Sequence, residues 1–448
     1  MGLDLFDSSE VDPAELETAS ARCYLALGCL DGAIAHAAPN VVALFALMLV
    51  RRTLAKSLAA AGYLFTDATF EGWISRAGGP PQGGPGTAAP APAISAAVLS
   101  ELRVSRWPAL AEAADLVWRA APHLGRGDRG AAVDRAGPGS SEAREEGQGA
   151  WHCDGLGGVI AAARAVLVDV DAAAAAHDSA PLSVLADRLV KVPAMFAPIE
   201  RGAAVIETDI GPVAVPLATQ QSQGWALGLV VGEMFVDLAM MRRPVPFAGV
   251  IAPQVLRGDC DPDVRLLRLA SGIGQGAHEL LGDLETARRL VRRAEAALVD
   301  ARSTSRAPAV FALIAGLGLV TRGEVCDAFK MTAAGADGVL AKLLTARLIA
   351  RRPGRAGKFC VAAKAGEGLG INAEGRIDSL GMDGVDEVDS AMDDLDRLLK
   401  SRSGRPFRDV IALPDQCQPM RDRRELAADS DAVGAEALEQ DLMDGGDQ

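Results

Sequence analysis

Apolar residues recur at the spacing of an amphipathic helix along most of the first 300 residues of the chain. The stretch from 203 to 216 contains β-branched residues instead and predicts a short pair of strands. The apolar run Val41–Val50 is ten residues long, too short to span a bilayer, and indicates a buried helix. The predicted helices cover residues 13–35, 41–61, 94–121 with a break at Pro108, 156–176, 181–191, 217–241 and 261–300, with a short one starting at Thr66 or Asp67.

Two stretches rich in glycine, proline or polar residues interrupt the helical pattern, at residues 78–92 and 125–149. The first predicts a loop and the second a disordered loop, because neither contains enough apolar residues to bury. The first separates an N-terminal helical cluster, residues 1–77, from a helical body, residues 93–300, and the second lies inside that body. Two long loops in one helical protein are unusual, so each is either an excursion between helices or a domain boundary.

Residues 301–364 have the pattern of a winged helix-turn-helix unit. A first apolar helix is predicted to end at Gly318. Thr321 and Glu324 have the spacing of a capping box, which predicts the start of a second helix. Thr332 is expected to cap a third helix. Two helices joined by a short turn form an arrangement with which many proteins read DNA.

A basic β-hairpin is predicted to follow, in the position of a wing, over Leu348–Arg352 and Lys358–Ala362. The unit contains 11 Lys and Arg residues against 3 acidic ones, a balance of +8 within a chain of −14. Cations in these positions would meet phosphates, which contribute much of the affinity for DNA. The residues predicted to contact DNA are Arg322, Lys330, Thr332, Lys342, Arg347, Arg351, Arg352, Arg355 and Lys358.

The first turns of the third predicted helix lack the side chains that read bases. The segment Ala333–Gly338 offers alanine, glycine and Asp337, whereas base edges are read by Arg, Asn and Gln. Asp337 could accept a hydrogen bond from cytosine, but its charge would also repel phosphate. The alternative that the unit serves protein contacts or internal packing therefore stays open beside DNA binding.

Residues 365–448 form a strongly acidic tail, with 21 acidic and 9 basic residues and a balance of −12. Such a segment cannot bury enough apolar surface to offset the entropy of ordering it, so it is predicted to be largely disordered. One amphipathic helix is expected within it, over Val388–Lys400. The predicted fold class is therefore mainly α: a multi-helix body, a C-terminal winged helix-turn-helix unit over residues 301–364, and an acidic, largely disordered tail.

Seven scattered cysteines include no Cys-x-x-Cys pair, which favours free thiols in a reducing compartment over a disulfide framework. The acidic N-terminus lacks the basic and apolar regions of a signal peptide. A cytoplasmic protein that does not enter a membrane is expected. DNA is the expected partner, and the helical body is a candidate interaction module through which the chain could form a homodimer.

No set of residues predicts a catalytic centre, a cofactor site or a metal site. His152, Cys153 and Asp154 are adjacent, but neighbours in sequence rarely converge on one ion. The segment Gly272–Gly276 resembles a glycine-rich phosphate loop, yet it lies inside a helical pattern with no strand before it and predicts tight helix packing. The arginine pairs at 288/289 and 292/293 have two open interpretations, a solvated helix face or an extension of the DNA-binding surface.

Three stretches of the chain carry a family resemblance. They read LALGCLDGAIAHAAPNVVALFALMLVRRTLAKSLAAAGYLFTDATFEGWISR, LETARRLVRRAEAALVDARSTSRAPAVFALI and VTRGEVCDAFKMTAAGADGVLAKLLTARLIARRPGRAGKFCV. The chain resembles an alphaproteobacterial, rhizobial-type family, often plasmid-borne, which combines a helical domain of unknown function with a C-terminal helix-turn-helix DNA-binding domain. The resemblance implies a transcription factor or DNA-associated protein without assigned chemistry. The acidic tail departs from the family pattern, in which the chain usually ends just after the wing.

The layout is also similar to that of Fic proteins, which place a winged helix after a helical catalytic domain. Their signature is His-Pro-Phe followed by a Gly-Asn-Gly-Arg loop. None of the five histidines of this chain is followed by Pro-Phe or by that loop. The resulting alternatives to a DNA-binding regulator are a Fic-like enzyme or pseudoenzyme with a lost or altered active site, or a plasmid-maintenance component.

Overall fold

Nine α-helices form most of the described part of the chain before residue 300 in the computed structural model, and we call residues 11–299 the helical bundle. The structure describes residues 11–76, 78–83, 89–124, 154–168, 180–197, 203–208, 211–216, 223–299, 305–352 and 357–362. All of these belong to one compact unit, residues 1–390. The predicted disordered loop 125–149 and the acidic tail 365–448, with its expected helix, lie outside the described residues. The helices are α1 (Pro13–Ala35), α2 (Pro39–Ala60), α3 (Asp67–Ile74), α4 (Ala91–Arg103), α5 (Pro108–Ala120), α6 (Asp154–Leu167), α7 (Pro181–Val190), α8 (Trp225–Asp237) and α9 (Pro262–Ala297).

Side-chain caps begin α1 and α9 where the sequence predicted these helices to start. The Asp12 carboxylate accepts a hydrogen bond from the backbone N–H of Ala14 (3.0 Å). The Asp261 carboxylate accepts from the N–H groups of Asp263 (2.9 Å) and Val264 (3.2 Å). Such caps satisfy backbone donors that a helix leaves unpaired, and each stabilises by about 1 kcal/mol.

Helix α2 forms the centre of the apolar core. It packs against α4, α5, α8 and α9, and its residues Phe45, Val50 and Leu58 are fully buried. Burying side chains of this kind contributes roughly 1.5–3 kcal/mol each. The apolar run Val41–Val50 is therefore a core helix, as the sequence predicted. Among the described helices, none combines the length and the apolar character that crossing a membrane requires.

Glycines allow the loop of residues 244–252 to pack directly against two helices. A Cβ atom added at Gly232 of α8 would lie 1.9 Å from the carbonyl oxygen of Val245. One added at Gly272 of α9 would lie 2.6 Å from the carbonyl oxygen of Val250. Within the segment Gly272–Gly276, Gly272 and Gly276 of α9 thus serve close packing against Val250, which confirms the interpretation made from the sequence.

Two antiparallel strand pairs complete the bundle. Strands β3 (Ala203–Thr208) and β4 (Gly211–Pro216) form the pair predicted from the sequence. Strands β1 (Tyr63–Leu64) and β2 (Gln82–Gly83) form a second pair, which was not predicted because residues 78–92 carry only loop signals. The hydroxyl of Tyr63 donates to the carbonyl of Ala89, which ties the end of this loop to the core just before α4 begins.

Helix α8 is shorter than the predicted helix over residues 217–241. It occupies Trp225–Asp237 and ends where Ala239 adopts a left-handed conformation with a φ of 57°. The N–H of Met240 then bonds to the carbonyl of Phe235 and turns the chain away from the helix axis. Apolar spacing alone does not reveal such an ending. Residues 217–222 lie outside the described residues.

A smaller helix–strand unit, residues 305–352 and 357–362, follows the bundle. Its strands are β5 (Val320–Thr321), β6 (Ile349–Arg351) and β7 (Lys358–Val361), and β7 lies between the other two and pairs antiparallel with both. With these elements the described chain is mainly α, as predicted. In chain order the unit contains α10 (Ala307–Leu317), β5, α11 (Arg322–Phe329), α12 (Ala333–Thr345), β6 and β7.

The core of the helix–strand unit is continuous with that of the bundle. Helix α10 packs on α2, and α11 packs on α5. Gly316 permits this approach, because a Cβ atom there would lie 2.5 Å from the Cβ of Leu47. The guanidinium of Arg119 donates to the carbonyl of Ala328 at the end of α11 (2.6 Å). The unit is therefore a fixed part of the fold rather than a separately packed module.

Glu324 is a buried carboxylate that completes the predicted capping box of α11. It accepts a hydrogen bond from the N–H of Thr321 (2.7 Å), and the Thr321 hydroxyl accepts from the N–H of Glu324 (3.3 Å). Burial raises the pKa of Glu324 above its ordinary value of 4.5, although the hydrogen bonds from Thr321 act in the opposite direction. Glu324 therefore stabilises the folded state most below pH 4.5. That contribution is lost as the pH rises through the raised pKa of the folded state.

We expect Glu324→Gln to keep the capping box, since glutamine can accept the same bond, while removing the buried charge. The free energy of unfolding of the Glu324→Gln variant, relative to that of the native chain, should therefore increase from about pH 5 to about pH 7. Glu324→Ala loses the bond itself and should cost roughly 1 kcal/mol. Urea unfolding at both pH values measures these differences, and parallel pH profiles for the native and glutamine chains would contradict the assignment.

Candidate nucleic-acid interface

Helix α12 packs one face inward and turns the other to solvent. Ala336, Leu340 and Leu343 are buried, against α10, α11 and β6. The short side chains of its first turns leave the backbone at the helix N-terminus accessible, where the N–H groups and the helix dipole favour an anion such as phosphate. The exposed residues there are Ala333, Ala334, Gly335, Asp337 and Gly338.

Two of the predicted DNA contacts have partners inside the helix–strand unit. The hydroxyl of Thr332 accepts from the N–H of Gly335 (3.2 Å) and caps α12, as expected. Arg322 lies 3.1 Å from the carboxylate of Asp337, and the two side chains are 54% and 55% exposed. An ion pair this exposed contributes at most about 1 kcal/mol, so a phosphate can compete for Arg322.

Four other predicted contacts are exposed cations: Lys330, Lys342, Arg347 and Arg351. Within the described residues, no acidic side chain forms an ion pair with any of them. Lys330 ends α11 and Arg347 follows α12, so these two flank the exposed helix. The remaining predicted contact on the hairpin turn, Arg355, lies outside the described residues.

Lys330 and Arg347 both adopt the left-handed backbone conformation, with φ values of 49° and 53°. After α12 the N–H of Leu348 bonds to the carbonyl of Leu343, which closes the type of helix ending in which glycine is preferred at the position of Arg347. A residue with a Cβ costs roughly 1–2 kcal/mol there. Glycine would adopt this conformation without strain, and the chain instead places a long cation at each of the two positions beside α12.

Arg352 and Lys358, two further predicted contacts, face the bundle rather than solvent. The guanidinium of Arg352 lies 3.0 Å from Glu71 of α3, and Arg51 of α2 lies 2.8 Å from the same carboxylate. The ammonium of Lys358 donates to the carbonyl of Ser75 (3.3 Å). These bonds hold the hairpin against α3. Local sequence reasoning missed the role of Glu71 because its partner on the hairpin is 281 residues away.

A separate cavity of about 520 Å³ opens among α1, α2, α9 and the loop of residues 244–252. Its lining includes the cations Arg52, Lys56 and Arg268, of which Arg52 already donates to Asp283 and Glu279 (both 2.6 Å). The glycines on its wall, Gly272 and Gly276, have their Cα faces covered by Val250 of the loop. A phosphate loop needs free backbone N–H groups at a strand-to-helix turn, and this wall is the interior of α9.

We expect no binding of ATP to the full chain, with or without Mg²⁺, because the glycine segment lies inside α9 and does not form a phosphate loop. Isothermal calorimetry should detect no saturable heat at ATP concentrations up to about 1 mM, which corresponds to roughly −4 kcal/mol of binding free energy. Micromolar affinity would reverse this interpretation and revive the enzyme alternative.

A metal site needs several ligating side chains close together. Within the residues that the structure describes, no group of three or more His, Cys, Asp or Glu side chains could hold a metal ion. His123 is hydrogen-bonded to Arg76 (3.1 Å) and to the carbonyl of Trp73 (2.9 Å), while His152 and His177 lie outside the described residues.

The exposed cations around α12 are therefore the clearest candidate site. No family model matches the chain, and no curated protein matches it either, so the family resemblance stays a prediction and the assignment depends on the geometry of this surface.

Proposed function

We propose that the helix–strand unit is a winged helix-turn-helix unit and that the protein binds double-stranded DNA through it, as a regulator or another DNA-associated protein. The observation that carries the proposal is the succession of α11, α12 and the β6–β7 hairpin, with the first turns of α12 exposed. Helices α11 and α12 are joined by a turn of three residues, Lys330–Thr332. This is the connection expected of two helices that dock on DNA, with the second in the major groove.

The distribution of charge supports the same surface. Lys342 is exposed on α12 itself, and Lys330, Arg347 and Arg351 are exposed on the segments beside it. Helices α10 and α11 pack on the bundle. The surface can therefore reach a duplex without moving the unit away from the bundle. Phosphate contacts from these cations fix a protein on DNA and raise its affinity, and they depend strongly on salt.

Recognition by this surface is proposed to depend little on base sequence. The exposed positions at the start of α12 are alanine and glycine, apart from Asp337, which pairs with Arg322. Short side chains allow close approach to the groove but offer no bidentate contact to a base. The protein would then gain its specificity from a partner, from DNA shape or from residues outside the described part of the chain.

Selection of duplexes from a random-sequence pool by the full chain tests this proposal. We expect recovery of bound duplex at low salt with at most a weak sequence preference. A strong sequence motif among the bound duplexes would contradict this proposal, since it would require side chains that contact base edges, and the first turns of α12 lack them. Failure to retain any duplex would favour the alternative in which the winged unit serves protein contacts or packing.

A further inference from the structure

The longest helix of the bundle, α9, presents a stripe of arginines beside the helix–strand unit. Arg289, Arg292 and Arg293 have the spacing i, i+3 and i+4, which places them on one face of the helix. Ala296 and Ala297 continue this face with short side chains. These five residues line an open groove of about 580 Å³. The residues that the structure places along this groove include no acidic side chain.

One arginine of the stripe joins it to the candidate DNA surface. The guanidinium of Arg293 donates to the carbonyl of Arg347 (2.8 Å) and to the carbonyl of Ala362 (2.7 Å). Arg293 therefore places the stripe next to the backbone of Arg347, the exposed cation that follows α12, and next to Ala362 at the end of the hairpin. The two surfaces are contiguous, although they come from parts of the chain that the sequence separates into body and winged unit.

The other two arginines are held loosely. Arg292 is 70% exposed and pairs with Glu285 at 3.1 Å. Arg289 donates to the hydroxyl of Thr286 (3.2 Å). An exposed ion pair and a single neutral hydrogen bond leave most of the guanidinium donors to solvent, because each guanidinium carries five N–H groups. Arg288, by contrast, is directed to the carbonyl of Ala33 in α1 and serves the packing of the bundle.

We propose that the α9 stripe binds the phosphodiester backbone of the same duplex that contacts α12. Charge complementarity selects this occupant: adjacent forked cations along a groove match a row of phosphates, and the small alanines let the backbone approach. The inference rests on the proposed function. It adds that the helical bundle is part of the DNA interface, so the DNA path spans the junction between the bundle and the helix–strand unit.

The test compares two double variants of the full chain with the native chain in salt titrations of duplex binding. Arg289→Gln with Arg292→Gln removes two cations of the stripe and leaves Arg293, which joins the stripe to the unit. Arg268→Gln with Arg106→Gln is the control, with the same loss of charge at exposed positions. Arg268 lies on α9 about 30 Å along the helix from Arg289.

We expect the stripe variant to bind at least about tenfold more weakly at low salt and to reduce the slope of log affinity against log salt by about two units. The control should retain the native slope. If the native chain binds and variants around α12 weaken it, but the stripe variant behaves as the control does, the stripe proposal is wrong and the proposed function stands. If the native chain does not bind duplex DNA, both fail together.

Discussion

Replacing Gly232 with alanine is expected to destabilise the protein by about 3 kcal/mol or more. The added Cβ would lie 1.9 Å from the carbonyl oxygen of Val245 and 2.6 Å from its carbonyl carbon. Both are backbone atoms, so no side-chain rotation can relieve the clash, and the loop of residues 244–252 must move away from α8. That loop also covers Gly272 of α9, so the displacement would open two buried contacts at once.

Gly282→Ala provides the matched control, because it adds the same methyl group within a helix. A Cβ atom at Gly282 meets nothing within 4 Å. The helix propensity of alanine should then stabilise the chain by roughly 0.5–1 kcal/mol. Chemical denaturation of both variants measures the difference. Equal stabilities of the Gly232→Ala and Gly282→Ala variants would mean that the loop of residues 244–252 does not pass α8 at the distance described.

Substituting glycine for Lys330 and Arg347 together should separate DNA binding from stability. Both residues hold the left-handed conformation that glycine adopts without strain. The double variant is therefore expected to fold with unchanged stability or with a gain of about 1 kcal/mol. It loses two exposed cations beside α12, so duplex affinity at low salt should fall by at least about tenfold and the salt slope by about two units.

Ala239→Gly is the control for this variant. Ala239 is also left-handed, with a φ of 57°, and its replacement relieves backbone strain without a change of charge. Ala239→Gly should raise the stability by as much as each of the two substitutions in the double variant does, and it should bind DNA as the native chain does. Unchanged DNA binding by the Lys330 and Arg347 variant, with folding intact, would exclude the surface around α12 as the main contact.

Local signals predicted much of the fold. The caps Asp12 and Asp261 and the capping box of Thr321 and Glu324 each involve residues within three positions of one another, so the sequence displays them directly. Apolar spacing likewise located the central helix over Val41–Val50. These elements depend on short-range geometry, which the order of residues specifies.

The remaining features of the fold and of the candidate site depend on contacts between residues that are distant in sequence. The charge of Arg352 and Lys358 suggested phosphate contacts, whereas the tertiary fold places them against α3, at Glu71 and Ser75. The same limit applies to the stripe on α9. Its arginine run was visible, but its position beside Arg347 depends on how α9 packs against the helix–strand unit. Charge in a sequence indicates a surface only once the fold shows which cations remain exposed.

The salt dependence of duplex binding by the full chain tests the central claim most directly. Six cations are assigned to phosphates: Lys330, Lys342, Arg347, Arg351 and Arg292 are exposed, and Arg289 is half-buried and lines the α9 groove. At about −0.9 for each phosphate neutralised, six contacts give an expected slope of roughly −5 for log affinity against log salt. Binding that is absent at low salt, or that does not change with salt, would contradict the assignment of this surface to DNA.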